Sequence, residues 1–154
     1  MSEKAKQRLW DYYDLIYIYK NTSNKLLGER LLHIINWAID RGALIDGREQ
    51  GKRGFPQFQL MGKHDRAIFS FWSPEPNHSK PGTVHFTRPL HRFGGDVEYR
   101  KNLVIKLNPL LGYYYDPDNI NGSRTSKRAL HEISQEEFNA FMAILDEYCY
   151  KKST

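Results

Sequence analysis

Gly54-Phe-Pro-Gln-Phe-Gln-Leu-Met61, Gly62-Lys-His-Asp65 and Ala67-Ile-Phe-Ser-Phe-Trp72 lie one after another in the middle of the chain, and their reading decides the fold. Phe58 and Leu60 alternate with Gln57 and Gln59, which is the two-residue period of a half-buried strand. The glycine-led polar tetrapeptide has hairpin-turn chemistry, and the apolar run after it supplies the returning strand. Gly82-Thr-Val-His-Phe-Thr87 alternates in the same way and gives a third strand. Within Ala67–Trp72 the two faces are nearly equally apolar, so either one is compatible with burial.

Helical periods flank this region. Leu9, Trp10, Tyr13, Ile16, Tyr17 and Tyr19 are joined by spacings of three and four over Glu3 to Lys20, although Leu15–Tyr19 is also compatible with a strand. Asn21-Thr-Ser-Asn24 breaks that pattern and offers caps to a second helix, with Leu27, Leu31, Ile34, Ile35 and Ala38 on one face and Gly42 at its C-terminal end. Gly42 to Gly54 reads as a linker. The three prolines of Ser73–Pro81 and the run Arg88–Gly95 read as exposed loops. Asp96 is placed to cap a third helix carrying Leu103, Leu107, Leu110 and Leu111, ended by Gly112. Ser134-Gln-Glu-Glu137 is a capping box, and Ile133 with Phe138 has staple spacing, ahead of the stripe Phe138, Phe141, Met142, Leu145 and Cys149. The expectation is one α+β domain over 1–154, with a small antiparallel sheet of about three strands packed against N-terminal and C-terminal helices.

The 154 residues include 40% hydrophobic and 14% aromatic side chains, which suffices for a folded core. Cys149 is the single cysteine, so an internal disulfide and a paired-thiolate zinc site are excluded, and a buried thiol in a reducing cytoplasm is expected. The charged start Met1–Arg8 is not followed by an apolar run, so no secretory signal is expected, and no stretch has the length and apolarity of a membrane span.

Ile35-Asn-Trp-Ala38 with its glycine turn, Ile68-Phe-Ser-Phe-Trp72, Gly82-Thr-Val-His-Phe86, Leu107-Asn108, Gly112 and the capped last helix together resemble a small α+β domain of uncharacterised bacterial proteins, some associated with restriction-type defence systems. Pro74–Pro81 lengthens one connection relative to that domain. The shared positions are core and turn residues, so the resemblance implies a bacterial or phage setting and a link to DNA, with no catalytic residue carried over.

Catalytic and metal motifs are incomplete. His85-Phe-Thr87 is one half of a paired His-x-Thr arrangement that needs a second copy. His85 and His91 with Arg88 and Arg92 have the residue types for metal-independent RNA cleavage. Asp96-Val-Glu98-Tyr-Arg-Lys101 misses nuclease spacing by one residue and reads as a helix start. Asp116–Gly122 departs from a calcium loop, with Lys127 where its bidentate glutamate belongs, and reads as a turn. No cofactor, metal or catalytic set is therefore expected.

The net charge of +5 is grouped. Arg48, Lys52 and Arg53 precede the sheet, Lys63, His64 and Arg66 mark the hairpin turn, and Arg88, His91 and Arg92 follow the third strand. Loops gathered at one sheet edge would make a cationic rim for phosphates, and an exposed Trp72, or one of Tyr113, Tyr114 and Tyr115, could stack on an unpaired base. For each residue singly, a solvated cation or a core aromatic explains the sequence as well. A non-enzymatic nucleic-acid-binding accessory module, in bacterial or phage defence or counter-defence, is the leading reading. The alternatives are a module that docks on a larger protein and a small ribonuclease using His85 and His91.

Overall fold

A computed structural model describes residues 11–45, 57–63, 67–71, 81–86, 97–120 and 122–152. Asp11 is extended and closes a capping box with Asp14, so helix α1 runs Tyr12–Lys20, and the part of the expected helix over 3–10 lies outside the described residues. The strand alternative for Leu15–Tyr19 is thereby overturned. Helix α2 (Lys25–Arg41) starts at the Asn24 cap and ends at Gly42, whose φ of 79° is the left-handed conformation a helix-ending glycine supplies.

Among the described residues the sheet has five strands, where about three were expected: β1 (Leu44–Ile45), β2 (Phe58–Met61), β3 (Ala67–Phe71), β4 (Val84–Phe86) and β5 (Arg124–Thr125), antiparallel and paired in chain order. The two additional strands have two residues each, too few to show a period. One lies in what read as a linker, and the other, Arg124–Thr125, follows closely on the Asp116–Gly122 turn. Helix α3 (Val97–Leu111) is inserted between β4 and β5, and α4 (Gln135–Tyr148) closes the chain. The α+β class holds. None of the described helices is long and apolar enough to cross a membrane.

Register sorts the two faces of the sheet. Phe58, Phe71 and Val84 form one cross-strand row and Leu60, Phe69 and Phe86 the next, and all six are fully buried. Phe58 stacks on Phe71 at 4.7 Å and Phe69 on Phe86 at 5.1 Å. Phe141 of α4 meets Phe69 edge to face and Phe71 at a tilt, and Tyr19 of α1 covers Phe58, so the helices pack on this face. The opposite row is polar: Gln59, Ser70, His85 and Thr125. Ser70 is buried as well, so β3 has no exposed face.

Two buried arginines of α2 hold the ends of α4. Arg30 donates to the carbonyls of Leu130 and Ile133, just ahead of α4, and lies over the Phe138 ring. Arg41 donates to the carbonyls of Asp146, Cys149 and Tyr150 and pairs with the Asp146 carboxylate at 2.5 Å. These carbonyls have no helical partner of their own, so each guanidinium satisfies acceptors that burial would otherwise penalise.

Candidate nucleic-acid interface

Seven of the expected interface residues, Arg48, Lys52, Arg53, Arg66, Trp72, Arg88 and Arg92, lie outside the described residues, as does His91. Lys63 is described and exposed. It follows Gly62, which bridges to Cys149 in antiparallel fashion, while the Tyr150 amide donates to the Met61 carbonyl at 2.8 Å and the Lys152 amide to the Arg41 carbonyl at 2.9 Å. The C-terminal segment thus takes up the edge of β2 where β1 leaves off, and it carries Lys151 and Lys152 to the edge from which Lys63 projects.

These lysines differ from the cations that the fold has already engaged. Arg30 and Arg41 are buried and committed to carbonyls. Lys101 pairs with Asp118, Lys106 with Glu147 and Arg128 with Glu137. Lys63, Lys151 and Lys152 are exposed, and no described residue neutralises them. Lys151 and Lys152 line an open cleft of about 260 Å³ with Trp37, Asp40 and Arg41. The Arg41 guanidinium lies 4.5 Å from the Trp37 ring centre and holds that ring at the cleft wall.

A second cation and aromatic group stands at the opposite edge, beside β5. Tyr113 is buried and donates to the Val84 carbonyl, and Tyr115 is buried and donates to the Gly122 carbonyl, both at 2.8 Å. Burial raises both phenols, Tyr115 to about 12 even though Arg124 opposes it. Asn108 clamps the Tyr115 peptide from both sides. Between them Tyr114 is 70% exposed, with Lys127 nearby. Of the three tyrosines, the stacking role considered from sequence therefore fits Tyr114 only.

His85 points away from the aromatic core, as its alternation with Val84 and Phe86 requires. It is half-buried, a hydrogen bond of 3.0 Å joins its Nδ1 to Thr125 Oγ1, and burial lowers its pKa below the usual 6.5. A neutral imidazole at pH 7 follows. Gln59 Nε2 donates to Ser70 Oγ at 2.8 Å, so the row reads as a cross-strand polar ladder. Among the described residues no group of histidine, cysteine or carboxylate side chains could hold a metal ion. The Cys149 thiol is pushed up to about 12 by burial, which suits packing and not nucleophilic chemistry.

Sequence reasoning passed over Lys151, Lys152 and Trp37 as interface residues. The lysine pair was visible, but only the backbone pairing with Met61 ties its segment to the β2 edge that leads into Lys63. Comparison with known proteins gives no match, whether to a family model, a curated sequence or a solved structure.

Proposed function

We propose that the protein is a non-enzymatic nucleic-acid-binding module whose phosphate contacts include Lys63, Lys151 and Lys152. The carrying observation is the pairing of the C-terminal segment with the β2 edge, which sets Lys151 and Lys152 on the same sheet edge as Lys63, all three exposed and without an ion pair among the described residues. Unpaired ammonium groups on one edge favour a polyanion, because binding releases the counterions condensed on it. The expected loop cations Arg48, Lys52, Arg53, Arg66, Arg88 and Arg92 and the aromatic Trp72 extend this proposal. The setting, in bacterial or phage defence or counter-defence, rests on the resemblance described above.

Affinity for a single strand and a duplex, measured across a salt series, tests the reading. The variant with Lys63, Lys151 and Lys152 all changed to Ala is expected to bind more weakly, with the slope of log K against log salt smaller by about 2 on a single strand. Absence of binding to either form at low salt, or an unchanged slope in the variant, refutes the proposal.

A second reading, docking on a protein partner, is favoured by Tyr13 and Tyr17. They lie one turn apart on α1 and are 79% and 71% exposed. Capture of one protein that survives nuclease treatment and is lost on changing Tyr13 and Tyr17 to Ser supports it.

A further inference from the structure

Tyr114 combines two properties that seldom coincide. Its φ of 57° is the left-handed conformation, and no other non-glycine described residue has a positive φ. Left-handed backbone is strained for an aromatic L-residue, whereas glycine or asparagine adopts it readily. The ring that accompanies this strain is 70% exposed, so apolar burial does not offset it. The strain is imposed from both sides. The buried Tyr113 and Tyr115 are fixed through their hydroxyls, and Arg124 donates to the carbonyls of Tyr113 at 3.0 Å and Tyr114 at 2.6 Å while its guanidinium lies over the Tyr115 ring. A strained conformation held by its surroundings and presenting one side chain to solvent is characteristic of functional sites.

The surroundings of the ring are cationic. Gly112 (φ 74°) lies beside both the Tyr114 ring and the stem of Lys127, which is exposed and has no ion pair among the described residues. Arg124 is half-exposed on the edge strand. Asp118 is neutralised by Lys101 at 2.9 Å, which leaves Asp116 as the exposed carboxylate next along the chain. An aromatic face with a free lysine and an arginine beside it has the composition of sites that stack a base and contact the flanking phosphates.

We infer that Tyr114 is a stacking platform for an unpaired base, so that the ligand is a single-stranded nucleic acid at the β5 edge, with Lys127 and Arg124 meeting its backbone. The inference rests on the nucleic-acid reading and names the state of the strand. In a duplex the bases are already stacked on one another, and the platform has no free face to meet.

The test uses the full chain with three probes of equal length: oligothymidylate, an oligomer of abasic sites and a blunt duplex. The wild-type protein is expected to favour oligothymidylate over the abasic strand. Tyr114→Ala is expected to bring that ratio toward one, a loss of roughly 5- to 150-fold on oligothymidylate, and Tyr114→Phe, which keeps the ring, to restore it. Tyr114→Gly separates function from folding: relief of the backbone strain is expected to raise Tm by about 2–4 °C while the preference for bases disappears. Binding of none of the probes at low salt overturns the nucleic-acid reading itself. Binding with equal affinity for thymidylate and abasic strands, unchanged in Tyr114→Ala, overturns the stacking inference alone. Competition at Tyr114 by a proline-rich peptide, with no effect of the substitution on oligothymidylate, also overturns it and assigns the ring to a protein ligand.

Discussion

A methyl group added to Gly28 would stand 2.3 Å from the Tyr19 carbonyl oxygen and 2.7 Å from Thr22 Cγ2. The first of these atoms is backbone at the end of α1, so it cannot swing aside as a side-chain end could. Alanine is the better helix former by about 1 kcal/mol, and an overpacked core contact costs about 1–3 kcal/mol. With a backbone oxygen that close the clash wins, so Gly28→Ala is expected to destabilise the fold by about 2 kcal/mol. Urea denaturation checks it, and a midpoint equal to wild type would mean that α1 is not seated this closely on α2. The sequence shows a glycine inside a helical pattern and nothing of its purpose. Its partners, Tyr19 and Thr22, stand nine and six residues earlier, at the end of α1 and in the turn between helices, and that approach exists only once the pair has packed.

At the scale of elements, α4 shows how a local signal acquires a distant partner. Ser134 Oγ accepts from the Glu137 amide and the Glu137 carboxylate accepts from the Ser134 amide, as the capping-box sequence requires. The same carboxylate receives two bonds from Arg128, at 2.6 and 2.9 Å. The Arg128 bond first and the Ser134 amide second hold the Glu137 carboxyl at about 2, below its usual 4.5. A depressed folded pKa means that the unfolded chain binds the proton more readily, so the stabilisation is complete above about 4.5 and is lost as pH falls toward about 2. Glu137→Gln is therefore expected to flatten the stability profile in that window. Thermal melts between pH 5 and 2.5 read this, and an unaltered slope in the variant would remove Glu137 from the account. The cap itself was legible because its residues are three apart. Arg128 was legible only as one more cation.

For the molecule as a whole, the C-terminal segment joins what chain order separates. Cys149 is fully buried, pairs with Gly62 at the end of β2, and lies where Arg41 gathers the last carbonyls of α4. Reaching its sulfur requires α4 to leave the sheet. Alkylation by iodoacetamide is therefore expected to be negligible in the native state and to follow the global unfolding equilibrium as urea is added. Fast native labelling would show that this end of α4 opens on its own. The same arrangement explains why the charge census changed. Several cations that sequence can only count are neutralised or buried by fold-specific partners, whereas Lys63, Lys151 and Lys152 stay exposed near one edge of the sheet, with Trp37 lining the cleft of Lys151 and Lys152, and Lys127 stays exposed near Tyr114 at the other.

The sequence by itself determined the α+β class, the β2–β3 hairpin and β4, the outward direction of His85, the start of α4, and the burial of Cys149. These follow from periodicity, caps and turn residues, which act between positions a few residues apart. Tertiary structure alone decided the strands β1 and β5, the separation of structural from free cations, the grouping of Lys63 with Lys151 and Lys152, and which of three consecutive tyrosines faces solvent. Each of these depends on pairing between distant backbones or on which carbonyls and carboxylates meet a guanidinium in the folded core, and no local pattern encodes that choice.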